Sequence, residues 1–397
     1  MTGRPLALRA TRLFDGEAVH VGPVMVLVDN GRITDVDRTG AAPPDSAELT
    51  DLGDDVTLLP GLVDAHSHLV FDPEGRDEDQ MLREDDATVL ARMRRQAERA
   101  LAAGITTVRD LGDRGYLALR LRESHPPGKG PELPEIIASG PPITRRGGHC
   151  WYLGGEADGV DEVVAAVEDR ARRGVDVVKV MATGGMGTAG SDPGAAQYSP
   201  AELCAITRTA REHGLPVTAH AHAAVGIRDA VAAGVDGVEH CTFMTASGIR
   251  LDPATVEAMA AAGTFVGCTV ARPRPTMPPE VLRTLEPYWA NHAYLHRHGV
   301  RVVCCSDAGL NPAKPHDVLP SDLVYFASQV CPNREALTSV TALAAEACGV
   351  GGRKGRIAPG YDADLLAVSG DPVADLGALR EVRAVYRAGR RHGGASR

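Results

Sequence analysis

Residues 58–68 read LLPGLVDAHSH, an apolar run that ends in two histidines two positions apart. Seven further short apolar runs follow, separated by segments with the spacing of amphipathic helices: 104–112 (GITTVRDLG), 135–140 (EIIASG), 175–183 (VDVVKVMAT), 215–222 (LPVTAHAH), 235–241 (VDGVEHC), 263–270 (GTFVGCTV) and 299–309 (GVRVVCCSDAG). Short apolar strands that alternate with helices are typical of a parallel sheet covered on both faces. Eight such units predict an α/β protein with a (β/α)8 TIM barrel. A doubly wound open sheet is the second choice, because no G-x-G-x-x-G motif or P-loop follows any of the runs.

The two ends of the chain have a different pattern. Residues 5–56 and 355–390 show short alternating strands, and Asp-Gly and Asn-Gly turn signals break the first of these segments. We expect both termini to form one small β-sandwich beside the barrel. The predicted division is residues 1–56 plus 355–397 for the sandwich and 57–354 for the catalytic barrel.

Composition restricts the possible partners. The chain has 397 residues, a formal charge of −10 and 44% hydrophobic residues, with no long apolar run and no secretion signal at its start. The charge and the lack of a basic stripe disfavour nucleic acid, so we expect a small-molecule substrate and neither nucleic acid nor membrane as partner. Eight scattered cysteines without a C-x-x-C pair predict reduced thiols and a cytoplasmic location. A homo-oligomer is an expectation from base rates alone.

Polar residues stand where the predicted strands end: His66, His68, Lys179, His220, His240 and Asp307. Barrel enzymes keep their active sites at this edge of the sheet. Strand residues two apart share a face, so His66 and His68 can converge on one ion, and imidazole is a common zinc ligand. The set predicts a polynuclear metal site; a buried polar network without metal is the alternative.

Lys179 lies in an otherwise apolar strand, and burial of an unpaired ammonium is costly. A neutral lysine amine that captures CO2 becomes a carbamate, whose two oxygens can bridge two metal ions. We therefore predict that Lys179 is N6-carboxylated. The alternative is a buried lysine paired with Asp307 or another acid.

These motifs resemble the amidohydrolase superfamily. The stretches GGHCWYLGGEADG, KVMATGG, SDPGAAQYSPAEL, PVTAHAHA, AGVDGVEH and GRIAPGYDADLLAV are similar to its imidazolonepropionase-like and Xaa-Pro dipeptidase-like branch, over nearly the whole chain. The chain departs from the family at CCSDAG (304–309), where a glycine and a threonine commonly precede the aspartate, and at TVARPRPTMP (269–278). The second departure puts the family's substrate preference in doubt.

The resemblance implies two divalent metal ions, with zinc preferred over manganese or iron. His66, His68 and Asp307 would hold one ion, and Lys179 would bridge it to a second ion held by His220 and His240. His222 shares a strand face with His220, so either can be the ligand; the family pattern favours His220.

We assign the general base to Asp307, which would pass a proton from water to the departing nitrogen. Developing oxyanion charge falls to the metal and to His149 or His222, although a surface position for His149 is equally compatible with its glycine-flanked loop. Side chains that can contact a substrate carboxylate are Tyr198, Arg272, Arg274 and, with the weakest support, His316. Solvated loop arginines are the alternative for Arg272 and Arg274.

The sequence thus predicts a binuclear metal-dependent hydrolase that cleaves an amide bond in a small substrate such as a dipeptide or an N-acyl amino acid. Hydrolysis of a cyclic, imidazolone-like amide uses the same machinery. Decarboxylation or isomerisation on the same fold, and a metal-free scaffold, are the competing hypotheses.

Overall fold

The structure is a computed structural model that describes residues 4–74, 78–126, 133–274, 277 and 279–392. Five strands come first: Leu6–Phe14 (β1), Val19–Asp29 (β2), Arg32–Asp37 (β3), Glu48–Asp51 (β4) and Val56–Pro60 (β5). The barrel region then contains Leu62–Ser67 (β6), Ile105–Asp110 (β7), Glu135–Ala138 (β8), Val178–Met181 (β9), Val217–Ala223 (β10), Gly237–Thr245 (β11), Gly248–Ile249 (β12), Phe265–Thr269 (β13) and Arg301–Cys305 (β14). Leu365–Ser369 (β15), Val382–Arg387 (β16) and Arg390–His392 (β17) close the chain.

The α-helices lie between the barrel strands and after the last of them. They are Glu78–Arg83 (α1), Asp86–Ala102 (α2), Leu117–Ser124 (α3), Gly159–Arg173 (α4), Pro200–Glu212 (α5), Ala224–Ala232 (α6), Pro253–Ala262 (α7), Pro279–Arg297 (α8), Leu319–Gln329 (α9), Asn333–Ser339 (α10) and Ala342–Ala347 (α11). None of the helices among the described residues is both long and apolar enough to cross a membrane.

The predicted (β/α)8 barrel is confirmed. Strands β6, β7 and β8 pair in parallel, and so do β9, β10, β11, β13 and β14. Ile143 joins the two groups on one side, since its backbone exchanges hydrogen bonds of 2.8 Å with Lys179 and Met181. On the other side the Asp307 amide donates to the His66 carbonyl (2.8 Å), which closes the ring.

The terminal strands form one sheet in the order β17-β16-β15-β5-β1-β2-β3, with β4 beside β1. Its buried side chains, among them Leu8, Leu13, Ile33, Leu58 and Tyr386, form a cluster separate from the barrel core. The predicted small β unit therefore takes strands from both termini. The residue limits proposed for it stay a prediction, and β5 belongs to this sheet although it extends past residue 56.

The expectation that 58–68 forms a single barrel strand is wrong at its start. The chain divides at Gly61: β5 pairs with β15 in the terminal sheet, and β6 enters the barrel. The Gly61 amide donates to Asp364 in the terminal sheet region, and the next amide, of Leu62, donates to Gly104 before β7. Gly104 has φ +87°, and a Cβ there would lie 2.7 Å from Leu366, so glycine lets the sheet approach the barrel.

Helix α5 begins as the sequence predicts. Ser199 caps the helix by accepting a hydrogen bond from the Glu202 amide, the Glu202 carboxylate accepts from the Ser199 amide (2.8 Å), and Pro200 occupies the first turn. This reciprocal pair satisfies amides that the helix itself leaves unbonded.

An ion cluster ties the lower end of the barrel to the terminal sheet. Lys354, 1% exposed, contacts Asp364 and lies 3.1 Å from Glu135 and 3.2 Å from Asp362. Burial alone would raise the pKa of Glu135, but Arg353, Lys354 and the neighbouring Arg387 lower it to about 2. The Glu135 carboxylate is thus held ionised by the cations around it.

We predict that Lys354→Met lowers the free energy of unfolding by about 3 kcal/mol, because removal of one partner leaves buried carboxylates short of a cation. Denaturant unfolding followed by circular dichroism measures the change. As a control, Arg172→Met removes an exposed ion-pair partner, 66% exposed, and should change stability by less than about 1 kcal/mol. Equal effects of the two substitutions would contradict a structural role for the cluster.

Candidate metal centre

The residues at the strand ends converge on one cavity of about 1040 Å³ at the carboxyl edge of the barrel. Its lining includes every predicted metal-site residue: His66, His68, Lys179, His220, His240 and Asp307, together with His149 and His222. All eight side chains are buried. His149 is thus a cavity residue rather than a surface one.

His66, His68 and Asp307 bring three donor atoms together. The two Nε2 atoms lie 3.3 Å apart, and each lies 3.4 Å from Asp307 Oδ1. Ligand atoms about 2.1 Å from a tetrahedral zinc ion lie about 3.4 Å from one another. The spacing of this set therefore fits one divalent ion.

A second group of donors adjoins the first. One ligand atom from each of His220, His222 and His240 falls within 4.8 Å of the others. His240 also forms such a group with His66 and Asp307, so the two sets share a residue. Both His220 and His222 remain available as ligands, with ring centroids 4.7 Å apart.

Lys179 reaches the cavity without a polar partner among the residues that the structure describes. Its side chain is 1% exposed, and Nζ makes no hydrogen bond to any of them. Across the described part of the chain no carboxylate lies within 4.0 Å of this nitrogen, so the alternative of a Lys179–Asp307 ion pair is not observed. Burial lowers the pKa of Lys179 to about 8, which makes the neutral amine accessible near physiological pH.

The nitrogen of each imidazole that faces away from the cavity centre has a partner. His66 Nδ1 donates to Glu239 (2.8 Å), and His220 Nε2 donates to the Gly184 carbonyl (3.1 Å). His222 Nδ1 and His240 Nδ1 contact the hydroxyls of Thr242 (2.7 Å) and Thr269 (2.9 Å). Such partners fix the ring orientation and the tautomer of metal-binding histidines.

Electrostatics favour neutral imidazoles beside an ionised carboxylate. Burial lowers the pKa of His66 and of His222 to about 4, so both rings are neutral at pH 7. Burial alone would raise the pKa of Asp307, but His66 and His68 hold it well below its usual range. Neutral imidazoles and carboxylate are the forms that bind metal ions.

Glu239 is a site residue that sequence reasoning missed. Besides His66, its carboxylate accepts hydrogen bonds from Arg109 (2.9 Å) and Thr218 (2.6 Å), and it is buried. Adjacent strand residues normally face opposite sides, but His240 has φ +66°, which breaks the alternation. Gly267 makes room, because a Cβ there would lie 1.9 Å from Glu239 Oε2. The sequence feature that could have identified Glu239 is an acidic residue in an apolar strand, next to the predicted ligand His240.

The predicted substrate contacts divide into two groups. Arg272 and Arg274 line the cavity: Arg272 Nε lies 3.0 Å from buried Asp322, and Arg274 donates to Asn311 (3.0 Å). Tyr198 and His316 do not line it. The Tyr198 hydroxyl donates to the Ala157 carbonyl (2.8 Å).

The His316 ring donates to the His68 carbonyl (3.0 Å) and so supports the backbone of a predicted ligand. A direct substrate contact is therefore not supported for either Tyr198 or His316, since each is buried against backbone outside the cavity.

Comparison with known proteins identifies the family. Residues 57–391 match the model of the amidohydrolase family. The chain belongs to this family. It is 27% identical over 362 residues to ochratoxinase from Aspergillus niger, covering 83% of this chain and 73% of that protein.

Solved amidohydrolases share the whole fold. The structure of a Xaa-Pro dipeptidase with methionine in its active site matches with a TM-score of 0.86 and 27% identity, over 98% of this chain and all of the other. A prolidase bound to N-methylphosphonate-L-proline matches with a TM-score of 0.84 and 25% identity, over 98% and 99% of the two chains. The family and these relatives identify the chain as a metal-binding hydrolase that acts on carbon–nitrogen bonds.

We predict that Glu239→Gln weakens metal binding by about 10- to 100-fold, since loss of a partner that orients a ligand typically has this effect. The amide keeps the size of the side chain but loses the charge that pairs with Arg109 and strengthens the hydrogen bond from His66. Titration of the metal-free protein with zinc, followed by calorimetry, gives the affinity.

Glu212→Gln, on an exposed position of α5, is the matched control and should bind zinc as the unmodified protein does. If Glu239→Gln binds zinc with an affinity within twofold of that of the unmodified protein, then His66 needs no carboxylate to hold its orientation.

Proposed function

We propose that the chain is a binuclear metal-dependent amidohydrolase that cleaves the amide bond of a small substrate such as an N-acyl amino acid or a dipeptide. The observation that carries this proposal is the buried, partnerless amine of Lys179 in the same cavity as two groups of metal-ligand donors. An isolated buried amine is costly unless it changes its chemical state or gains a partner. A carbamate on Nζ would supply two oxygens, one for each metal ion.

The donor chemistry favours zinc. Imidazole nitrogens and a carboxylate are ligands that zinc accepts, and tetrahedral zinc fits the 3.3–3.4 Å separations in the first group. We assign His66, His68 and Asp307 to one ion, His220 and His240 to the other, and carboxylated Lys179 to both. His222 then faces the substrate. The eight cysteines, all unpaired, support a cytoplasmic location.

When bound, divalent ions polarise a carbonyl oxygen and lower the pKa of water to roughly 7. Asp307 accepts the proton of the attacking water and returns it to the departing nitrogen. His149 and His222 line the cavity and can donate to the developing oxyanion. Among the six residues predicted at the strand ends, Asp307 is the only acid, so we assign the proton transfer to it.

Arg274 is our choice for the substrate carboxylate. Arg272 lies against Asp322, which also holds Lys314 at 3.0 Å, so much of its charge is neutralised. Arg274 contacts only the neutral Asn311 side chain, and no acid lies within ion-pair distance of it among the described residues. A guanidinium with free donors is well suited to a carboxylate.

Lys179→Ala tests the bridge. We expect the variant to hydrolyse a panel of N-acyl amino acids and dipeptides at least about 100-fold more slowly, because a group placed between two ions matters more than one that orients a ligand. Acetate or propionate, added at millimolar concentration, should restore part of the rate by filling the space of the carbamate.

Lys179→Met is the matched control, because its longer side chain fills that space and should prevent rescue. Full activity of Lys179→Ala without any added acid would refute the bridging role.

A further inference from the structure

The cavity is larger than a dipeptide requires. Its volume of about 1040 Å³ slightly exceeds the range of roughly 300–1,000 Å³ for pockets that enclose drug-sized ligands. Two small amino acids fill only part of such a space. Tight binding of a small substrate would leave apolar walls in contact with water.

Those walls are apolar on several sides. The cavity is lined by Phe71, Met81, Met181, Met244, Leu285 and Tyr288, among others. Methionine side chains are flexible and adapt to ligands of irregular shape. Burial of a large apolar group against this lining would be favourable.

The apolar lining continues to the surface. Met186 and Leu310, both part of the lining, are 64% and 47% exposed. They follow β9 and β14, on loops at the carboxyl edge of the barrel. Two exposed large apolar side chains at one cavity mouth provide an apolar route to the site.

The charges of the lining disfavour a free ammonium group on the substrate. Asp72 and Asp307 are the only acids among the described residues that line the cavity. Asp307 belongs to the first donor group, and the Asp72 carboxylate accepts a hydrogen bond from the Glu74 amide (3.1 Å). Arg272 and Lys314 share the carboxylate of Asp322, but Arg274 has no acid within ion-pair distance among the described residues. An α-ammonium, which every dipeptide carries on its acyl half, would face this uncompensated guanidinium and no acid of the described lining beyond Asp72 and Asp307.

We infer that the substrate is an N-acyl amino acid whose acyl half is a large apolar group without an ammonium, and that dipeptides are poor substrates. This inference rests on the proposed amide hydrolysis. Water is added across the C–N bond, which releases an apolar carboxylic acid and a free amino acid. The carboxylate of the amino-acid half lies toward Arg274, and the acyl half lies against the apolar lining that reaches Met186 and Leu310.

Three matched substrate pools test it. Alanyl, propionyl and octanoyl groups are each joined to a mixture of the twenty protein amino acids, so that no guess about the amine half is needed. Alanyl and propionyl differ only in the ammonium, and propionyl and octanoyl differ only in five CH2 groups. Release of free amino acids by the zinc-loaded protein is measured for each pool.

We expect octanoyl conjugates to be hydrolysed at least about 30-fold more efficiently than propionyl conjugates, since each buried CH2 contributes up to about fourfold. Alanyl conjugates should be at least about tenfold worse than propionyl ones. If alanyl conjugates equal or exceed the other two, the inference is overturned while amide hydrolysis stands. If no pool is hydrolysed, the proposed function itself fails.

A double variant, Met186→Ser with Leu310→Ser, locates the acyl group. It should reduce the ratio of octanoyl to propionyl hydrolysis by about three- to tenfold. Val21→Ser is the control, because Val21 is 74% exposed but lies on β2 of the terminal sheet, and the ratio should not change. An unchanged ratio in the double variant would overturn the placement of the acyl group.

Discussion

A buried primary amine with no acid beside it is costly in its charged form, and among the described residues Lys179 has no carboxylate in contact. The strand that carries it is closed on both sides by the barrel, so the side chain cannot turn to solvent. Loss of the proton would relieve part of this cost, and capture of CO2, as we propose, would convert the amine into an anionic ligand. The surrounding imidazoles, which burial keeps neutral, would then be partners of the two proposed metal ions rather than neighbours of an ammonium.

Residues behind the cavity hold the metal-ligand side chains in position. Glu239 lies on β11, orients His66 on β6 and accepts hydrogen bonds from Arg109 on β7 and Thr218 on β10. One carboxylate therefore fixes four strands of the barrel relative to the first donor group. Support of this kind holds the donor atoms of His66, His68 and Asp307 at separations that fit one metal ion.

Much of this arrangement follows from the order of residues, because parallel strands bring their carboxyl ends to one edge. His66, His68, Lys179, His220, His240 and Asp307 were all predicted on that ground, and the structure places them in one cavity. Glu239 escaped prediction because the left-handed backbone at His240 breaks the strand alternation. The contact of the Tyr198 hydroxyl with the Ala157 carbonyl could not be predicted, because strand and helix patterns do not show where a loop directs a side chain. The division at Gly61 was hidden by an uninterrupted apolar run on both sides of it.

The central claim is that this cavity holds two metal ions bridged by a modified lysine. Elemental analysis of the protein, purified with bicarbonate and without chelators, measures the ions directly. We predict close to two zinc ions per chain, with manganese or iron as substitutes. A value close to one would contradict the bridge, and a value near zero that persists after incubation with zinc and bicarbonate would contradict metal-dependent hydrolysis altogether.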